Sequence, residues 1–209
     1  MKRKLAYFLL LFFVPLTTIF ANELPNSKEA QKLFTKVFDM VYGPQGSTLH
    51  YSVNIIGIYK TEGTIYYKGK KFQYQEERYS SWQDGTNAFM VDGKKKTVNI
   101  YNFNDEKKDT YLSKFKFDPK DYIFSYSKEG NYYLLNAKVR NSKFFGIKEL
   151  TAKVYQANLY PVSLSIKLGF IKTTVKITNF RSGNILDSQF IFPKNKFENY
   201  SFTDHRNEK

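Results

Sequence analysis

Residues 62–92 read EGTIYYKGKKFQYQEERYSSWQDGTNAFMVD, and this stretch decides the fold because apolar and polar side chains alternate along it between glycines at hairpin intervals. Such alternation predicts adjacent antiparallel strands. Phe72 and Tyr74 share one face of their strand and the intervening glutamines the other, so a shift of one residue would turn both rings towards water. The glycines in residues 68–71 and 84–85 tolerate the positive φ angles that tight turns need.

The same alternation recurs along most of the chain. The further alternating segments cover residues 48–60, 98–101, 133–140, 162–168, 171–178 and 190–192. Residues 56–58, Ile-Gly-Ile, break the alternation of the first segment and predict a bulge. Residues 179–184, Asn-Phe-Arg-Ser-Gly-Asn, predict a hairpin turn. About ten strands with one or two helices predict a mainly β fold, built on a large and strongly curved antiparallel sheet.

One segment, residues 26–42, has helical spacing instead. Asn26 or Ser27 can cap its first turn, and Gly43-Pro44 ends it. Because one helix of about fifteen residues is too small to cover so wide a sheet, part of the apolar face should remain as a cavity. The apolar side of this helix, at spacings of three and four, is formed by Ala30, Leu33, Phe34, Val37 and Val41.

A second, short helix is predicted at residues 120–127, because Pro119 suits the first position of a helix. It would carry Tyr122, Ile123 and Phe124. This aromatic helix is either a lid over the cavity or a peripheral part of the core.

The N-terminus has the layout of a secretory signal, with a basic start, an apolar run over residues 5–16 and Ala21 at the expected cut. The run is shorter than the roughly 20 residues that span a bilayer. We therefore expect residues 1–21 to be a cleaved signal peptide and residues 22–209 to form one exported, periplasmic domain. Cleavage would lower the formal net charge from +14 to +11, because it removes Lys2, Arg3, Lys4 and no acidic residue.

Charge and composition narrow the function classes. A basic exported protein favours anionic membrane surfaces, lipid head groups or acidic proteins, and export disfavours nucleic acid as the partner. The alternative is an ordinary lysine-rich surface. The chain has no cysteine and two histidines, His50 and His205, so thiolate metal sites and catalytic thiols are excluded and a Ser-His-Asp arrangement is disfavoured. We expect no catalytic residue, no metal and no cofactor.

Taken together, these features resemble the LolA family, periplasmic carriers that move lipoproteins from the inner to the outer membrane. The resemblance covers essentially the whole mature chain and rests on order and spacing rather than on one motif. Its most specific residues are Gly63-x-x-Tyr66-Tyr67-Lys68, Phe72-x-Tyr74, Asp84-Gly85 and Phe89. Four other features also fit the family: the N-terminal helix, Tyr160-Pro161, Phe190-x-Phe192-Pro193 and Asp204-x-Arg206.

The resemblance implies an incomplete antiparallel barrel around a helix, with short helical lids over a hydrophobic cavity for acyl chains. It implies that Phe72, Tyr74 and Phe89 line this cavity, and core packing alone is the alternative for each. We expect the helix residues Leu33, Phe34, Val37 and Val41 to pack on the sheet and to border the cavity. The wall is expected to continue through other apolar strand positions, namely Tyr51, Val53, Ile166 and Val175.

One departure concerns the closing of the lid. Family members typically carry an arginine after the lysine of this block, which holds the lid shut, whereas here Gly69 follows Lys68. Lysine lacks the planar fork of arginine, so a different contact is expected. Lys68, Lys70 and Lys71 are candidate contacts for a partner or a lipid head group, or else solubilising residues of a hairpin tip.

The partners that the resemblance implies are acylated lipoproteins, an inner-membrane ABC complex that releases them and an outer-membrane acceptor. The protein is expected to act as a monomer. The alternative function is a periplasmic module of the same fold that senses lipid or a polyanion without transporting anything.

Overall fold

The computed structural model describes residues 26–55, 59–104, 118–141 and 147–207, and the expected signal peptide lies outside these ranges. One α-helix, α1, comprises Ser27–Tyr42. The strands are, in chain order, β1 (Ser47–Ile55), β2 (Tyr59–Lys68), β3 (Lys71–Glu76), β4 (Tyr79–Gln83), β5 (Asn87–Asp92), β6 (Thr97–Asn102), β7 (Tyr122–Glu129), β8 (Tyr132–Val139), β9 (Ile147–Tyr155), β10 (Pro161–Leu168), β11 (Ile171–Ser182) and β12 (Ser201–Asp204).

All twelve strands belong to one sheet, in the order β12-β6-β5-β4-β3-β2-β1-β11-β10-β9-β8-β7. Strands β1 to β6 form one antiparallel meander and β7 to β11 a second, and the pairing of β1 with β11 joins the two. β12 pairs in parallel with β6. Within the described ranges β7 and β12 are the two edges, so the sheet stays open, as predicted for an incomplete barrel.

The helix predicted at residues 26–42 is confirmed, although its start is held differently. The Asn26 side chain does not cap α1: its amide donates to the Tyr126 carbonyl oxygen at 2.7 Å, and its oxygen accepts from the Tyr126 N–H at 3.4 Å. At the other end Gly43 leaves the helix in an extended conformation, where a Cβ atom would collide with the Asp39 carbonyl oxygen. Asn26 thus fixes the start of α1 to β7.

The apolar side of α1 lies on one face of the sheet, which we call the inner face. The helix packs chiefly on β7 and also reaches β8, β1 and β2. β7 and β2 are six strand spacings apart, about 29 Å in a flat sheet, whereas a helix of this length spans about 24 Å. The sheet therefore curves around α1.

The main core lies between α1 and the inner face of β7 to β9. Phe34 is 7% exposed and its ring centre lies 5.5 Å from that of Phe124. The other buried members of this cluster are Ala30, Val37, Tyr122, Leu135, Ala137, Leu150, Ala152 and Val154.

A second core lies on the opposite side of the sheet, the outer face, where residues 185–200 cross β3 to β6. Phe192 is at its centre, with ring centres at 4.5 Å from Phe89, 5.5 Å from Trp82 and 5.1 Å from Phe197. Trp82, Val91 and Val98 form its buried base. The two cores lie on different faces and at different ends of the strand order.

Three predictions of local structure are wrong. Residues 120–127 do not form a helix: Pro119 opens a single 3₁₀ turn, Pro119–Asp121, and the strand β7 follows. Residues 190–192 are not a strand, because Phe190 ends the 3₁₀ turn Asp187–Phe190. Residues 179–182 are not a turn, because β11 continues to Ser182.

Two further details of the strands differ from the prediction. In β11 the pairing with β1 shifts between Thr178 and Arg181, where Asn179 has a φ of +52°, so the asparagine marks a bulge inside the strand. The segment predicted as one strand over residues 48–60 contains nearly all of β1 and the first two residues of β2, and these two strands pair with each other. The bulge predicted at residues 56–58 lies outside the described residues.

Candidate functional site

The inner face continues beyond the main core as a wall formed by β10, β11, β1, β2 and β3. Directly paired residues of antiparallel strands share a face. Val53 pairs with Val175, and Leu49, which is buried, pairs with Ile65, which in turn pairs with Tyr74. By this register the wall includes the predicted residues Tyr51, Val53, Phe72, Tyr74, Ile166 and Val175.

An aromatic row crosses this wall from the C-terminal end of α1. The ring centres of Tyr42 and Tyr67 are 4.7 Å apart, those of Tyr67 and Phe72 are 6.2 Å apart, and those of Phe72 and Tyr74 are 6.3 Å apart. Burial raises the pKa of the Tyr42 phenol, and its hydrogen bond with Tyr67 offsets part of this rise. The Tyr42 ring at the start of the row is therefore uncharged at neutral pH.

The wall becomes polar towards the far end of β3. The Tyr51 hydroxyl donates a hydrogen bond to the Glu76 carboxylate across Gly63, which is the direct partner of both residues in β2. A Cβ atom at Gly63 would lie 2.5 Å from the Gln75 carbonyl oxygen and 3.1 Å from the Tyr51 hydroxyl. The glycine of the sequence block thus makes room for this tyrosine–glutamate pair.

The side chains of the wall are more exposed than those of the main core. The core residues Leu135 and Leu150 are 0% and 1% exposed, because α1 packs on the strands around them. The six predicted wall residues are all half-buried. The structure therefore brings together, on one face, an extended apolar surface that α1 covers only in part.

The residues predicted for the helix and lid lie in two different places. Phe34, Val37 and Val41 are buried beneath α1 and Leu33 is half-buried beside them. Tyr122 and Phe124 are buried in the main core from strand β7, whereas Ile123 points to the outer face because it pairs with Lys138. Tyr122 and Phe124 are therefore core residues and not part of a lid, and Ile123 belongs to neither.

The placement predicted for Phe89 on the same wall as Phe72 is wrong. Phe89 pairs with Trp82, and Trp82 pairs with Gln73, the outer-face neighbour of Phe72 and Tyr74. Its ring stacks on Phe192 with an interplanar angle of 5°. Phe89 is therefore part of the outer core and holds the C-terminal segment.

Two of the three lysines in the β2–β3 turn also hold this segment. The Lys68 ammonium donates to the Ile185 carbonyl oxygen at 2.9 Å and lies 3.0 Å from the Asp187 carboxylate, and the Lys71 ammonium lies 3.4 Å from the same carboxylate. The hydrogen bond from Lys68 and then that from Lys71 lower the pKa of Asp187. Lys70 is exposed and remains a candidate for partner contact.

A polar cleft of about 1380 Å³ opens mainly on the outer side of β1, β2 and β11, at the end of the strands away from the Lys68 turn. Its lining includes lysines and glutamates, among them Lys60, Glu62, Glu77, Lys172 and Lys176. Such a lining suits a charged or polar partner and not an acyl chain.

The two histidines lie far from each other in this arrangement. A ring nitrogen of His50 is 3.5 Å from the Thr64 hydroxyl, whereas His205 stacks on Tyr101 at 4.7 Å and a ring nitrogen lies 3.0 Å from the Asn99 side-chain oxygen. Within the part of the chain that the structure describes, no group of three or more acidic or histidine side chains is placed to hold a metal ion. In the same ranges no helix is long and apolar enough to cross a membrane.

Comparisons with known proteins give matches in structure alone. No protein-family model matches the sequence, and no curated protein matches it. An uncharacterized conserved protein from Thermus thermophilus superposes with a TM-score of 0.56 at 9% identity, over 84% of this chain and 99% of that one. This likeness shows a shared fold.

Two further solved structures are similar at lower scores. A LolA superfamily protein from Nitrosomonas europaea gives a TM-score of 0.39 at 10% identity, over 79% of this chain and 98% of that one. Pseudomonas aeruginosa MucB, in its complex with MucA, gives 0.46 at 13% identity, over 79% of this chain and 62% of that one. The open antiparallel sheet curved around an N-terminal helix is the architecture that the sequence predicted.

Proposed function

We propose that this protein is an exported carrier that binds the acyl chains of lipoproteins on the inner face of its sheet and takes them from the inner to the outer membrane. One observation carries the proposal: the half-buried apolar wall beside α1, with the aromatic row Phe72 and Tyr74 at one end and Val53 and Val175 near its middle. A wall of this kind matches a long apolar ligand better than a compact polar one.

The energetics of acyl chains explain why a carrier of this shape is useful. Transfer of about fourteen methylenes into water costs on the order of 11 kcal/mol, at about 0.8 kcal/mol per CH₂. A lipoprotein therefore does not cross the periplasm unaided. The same ligand must also be released at its destination, and a half-open wall that the ligand covers loosely favours release over a closed and tightly fitting pocket.

The partners proposed with this function are acylated lipoproteins, an inner-membrane ABC complex that loads the carrier and an outer-membrane acceptor. The formal net charge of +14, or +11 after removal of residues 1–21, favours approach to acidic proteins and to anionic lipid head groups. Catalysis plays no part in this proposal, and neither does nucleic acid.

A second candidate function is a periplasmic module that binds lipid or a polyanion as a signal and transports nothing. The charged outer cleft favours it, because Lys60, Lys172 and Lys176, together with Glu62 and Glu77, lie around one opening that the acyl-chain proposal does not use. A carrier should form a soluble one-to-one complex with a lipoprotein released from membranes. A sensor should bind its ligand and leave lipoproteins in the membrane.

Uptake of a fluorescent fatty-acid analogue tests the assignment of the wall. Phe72→Glu and Tyr74→Glu each place a charge in the apolar row and should abolish uptake while the fold persists. Gln75→Glu is the matched control, because Gln75 lies on the same strand, is exposed and faces the outer side. Unchanged uptake in both inner-face variants, with a far-UV circular dichroism spectrum like that of the wild type, would rule out the wall as the acyl site.

Transport needs its own experiment, because lipid binding is common to both candidate functions. The mature protein is incubated with lipoprotein-loaded inner membranes and their ABC release complex, and the supernatant is examined for acylated protein bound to it. A soluble one-to-one complex supports the carrier. Protein that takes up the fatty-acid analogue yet leaves every lipoprotein in the membrane supports the sensing module.

A further inference from the structure

The hairpin between β10 and β11 exposes an unusual amount of apolar surface at its end. We call residues 168–171 the apolar tip. Phe170 is 87% exposed, Ile171 is 51% exposed and Leu168 is 44% exposed. Leu168 and Ile171 pair directly, so the two residues between them form the turn, and Gly169 provides its φ of +56°. A two-residue turn of this kind normally takes a polar residue or glycine beside the first glycine, so nothing in the fold requires phenylalanine there.

Lysines outnumber acidic residues around the apolar tip, although Glu149 on β9 is the direct partner of Lys167. Lys167 pairs with Lys172 directly behind it, and the Lys148 ammonium lies 5.7 Å from the centre of the Phe170 ring. Between Glu149 and Asp187 the sequence contains five basic residues and no acidic one. The apolar tip is therefore a small apolar projection with three lysines, Lys148, Lys167 and Lys172, and one glutamate, Glu149, near its base.

Two other connecting segments have a similar composition in the sequence. Residues 56–60 read Ile-Gly-Ile-Tyr-Lys and residues 145–148 read Phe-Gly-Ile-Lys, as residues 168–172 read Leu-Gly-Phe-Ile-Lys. The strand register places the described lysines of these connections, Lys60 and Lys148, at the end of the sheet where the apolar tip lies. The opposite end, with the turns near Lys68 and Asp84, has no such pattern in its sequence.

We propose that the apolar tip is a docking element for anionic lipid bilayers, in which Phe170, Leu168 and Ile171 enter the boundary between head groups and acyl chains. Lys148, Lys167 and Lys172 would then lie at the level of the phosphate groups, where their stems cover apolar surface and their ammonium groups meet negative charge. Three side chains are too few for a stable protein interface, which buries about 800 Å² on each partner. The inference holds whatever the inner face binds.

The strand register also relates the apolar tip to the wall on the inner face. Leu168 and Ile171 continue the columns of inner-face residues that include Ile166 and Val175. The apolar tip and the wall are thus one continuous apolar surface on the same side of the sheet. On the proposed function, docking would bring the end of the wall to the membrane from which an acyl chain leaves.

Vesicle binding measures the proposal directly. The mature protein is sedimented with vesicles of phosphatidylethanolamine and phosphatidylglycerol, and separately with vesicles of phosphatidylcholine alone. We expect binding to the anionic vesicles that weakens with added salt. Phe170→Ser should lower this binding about tenfold or more, since it removes one inserted aromatic side chain. Leu186→Ser is the matched control, because Leu186 is 73% exposed and lies near the other end of the sheet, and it should bind as the wild type does.

The lysines and the depth of insertion have separate tests. Lys167→Gln with Lys172→Gln should lower binding to anionic vesicles about tenfold or more, whereas Lys194→Gln with Lys196→Gln, two lysines on the outer C-terminal segment, should leave it unchanged. The emission of the tryptophan introduced by Phe170→Trp should be quenched by brominated acyl chains. Trp82, the one natural tryptophan, is 9% exposed within the outer core and serves as the internal reference that is not quenched.

Three results would overturn the proposal: no binding to anionic vesicles, equal losses in Phe170→Ser and Leu186→Ser, or no quenching of the introduced tryptophan in the Phe170→Trp variant. Tip-dependent self-association without vesicle binding would assign the apolar tip to a protein contact instead. The fatty-acid assay keeps this inference apart from the proposed function. Phe170→Ser should retain uptake in solution, and Phe72→Glu should lose uptake while it still binds vesicles.

Discussion

The variants Phe89→Ala and Phe72→Ala should affect different properties, because the two residues lie on opposite faces of the sheet. Both residues were predicted from the sequence to line one cavity, yet Phe72 lies on the inner wall and Phe89 in the outer core. Phe89→Ala should therefore lower stability and leave fatty-acid uptake by the folded protein unchanged. Phe72→Ala should lower uptake with a smaller loss of stability.

The expected magnitude follows from the surroundings of each ring. A fully buried phenylalanine contributes about 3–5 kcal/mol relative to alanine. Phe89 is half-buried, but its ring stacks on that of Phe192 at 4.5 Å. Since a stacked aromatic pair adds about 0.5–1.5 kcal/mol beyond area burial, we expect Phe89→Ala to lower the free energy of unfolding by about 2–3 kcal/mol. Phe72 is also half-buried, but its nearest rings are at 6.2 and 6.3 Å, which gives an expected loss of about 1–2 kcal/mol.

Urea unfolding monitored by tryptophan fluorescence gives the free energy of unfolding. Trp82 is the one tryptophan in the chain and its ring centre lies 5.5 Å from that of Phe192, so its emission reports on the outer core itself. Fatty-acid uptake is then measured at a temperature where each variant is folded. Circular dichroism at the same temperature confirms that both variants retain the β signal.

The reverse pattern would refute the reasoning. If Phe89→Ala keeps the stability of the wild type and loses uptake, Phe89 belongs to the acyl site and the outer core does not depend on it. If both variants lose uptake in proportion to their loss of stability, the assay reports unfolding and neither ring is assigned to ligand binding.

The remaining predictions concern the wall, the outer turns and acid stability. Gly63→Ala should lower stability by about 1–3 kcal/mol, because its Cβ would collide with the Gln75 carbonyl oxygen and crowd the Tyr51 and Glu76 side chains. A loss of stability no larger than that of Tyr51→Phe in urea unfolding would contradict this. Hydrogen bonds from Arg78 hold the pKa of Asp92 at about 2, below its ordinary 3.8, so its stabilising contribution is present above pH 3.8 and is lost as the pH falls towards 2. The thermal midpoint of the wild type should fall more steeply over this range than that of Asp92→Asn, and parallel curves would oppose it. Asp187→Asn should increase amide hydrogen exchange in residues 185–190, because it breaks the ion pairs with Lys68 and Lys71; unaltered exchange there would mean that the outer core alone holds the segment.

Local periodicity was sufficient to predict α1 and most of the sheet. Apolar residues at spacings of three and four mark Ser27–Tyr42, and Gly43 ends the helix for a steric reason that the sequence already shows. The strands of residues 62–92 follow from alternation and turn glycines. These features depend on neighbours in sequence, so sequence alone specifies them.

The segment at residues 120–127 shows where local reasoning failed. Pro119 suits the first position of a helix, but here it opens only a 3₁₀ turn. The alternation of Tyr122 and Phe124 with Ile123 was visible in the sequence and is the pattern of a strand. Packing of α1 on β7 decides the outcome, since Tyr122 and Phe124 are both buried in the core on one face of the strand.

The misplacement of Phe89 has a different origin. Which face a residue occupies depends on the register across β3, β4 and β5, and the register is set by pairing that the sequence of one strand does not contain. The contact of Lys68 and Lys71 with Asp187 was likewise missed, because it joins residues more than one hundred positions apart. The one signal of this contact in the sequence was Asp187 itself, which follows a run of 37 residues, 150–186, without an acidic residue.

The pairing of β1 with β11 has a consequence for how the chain folds. Each meander contains mostly local pairs, whereas the seam between them joins Ser47 to Ser182 and Val53 to Val175. Such distant pairs form late, because a long loop must close before they stabilise anything. During synthesis the first meander therefore keeps the β1 edge unpaired until residue 171 and those after it are available.

An unpaired edge strand is a template for aggregation. The interval before β11 pairs with β1 is thus the period in which the chain is most prone to aggregation. A holding chaperone that covers β1 would protect the first meander during this interval. In the finished protein β1 and β11 are an ordinary pair of central strands. During folding, the formation of this pair competes with misassembly at the β1 edge.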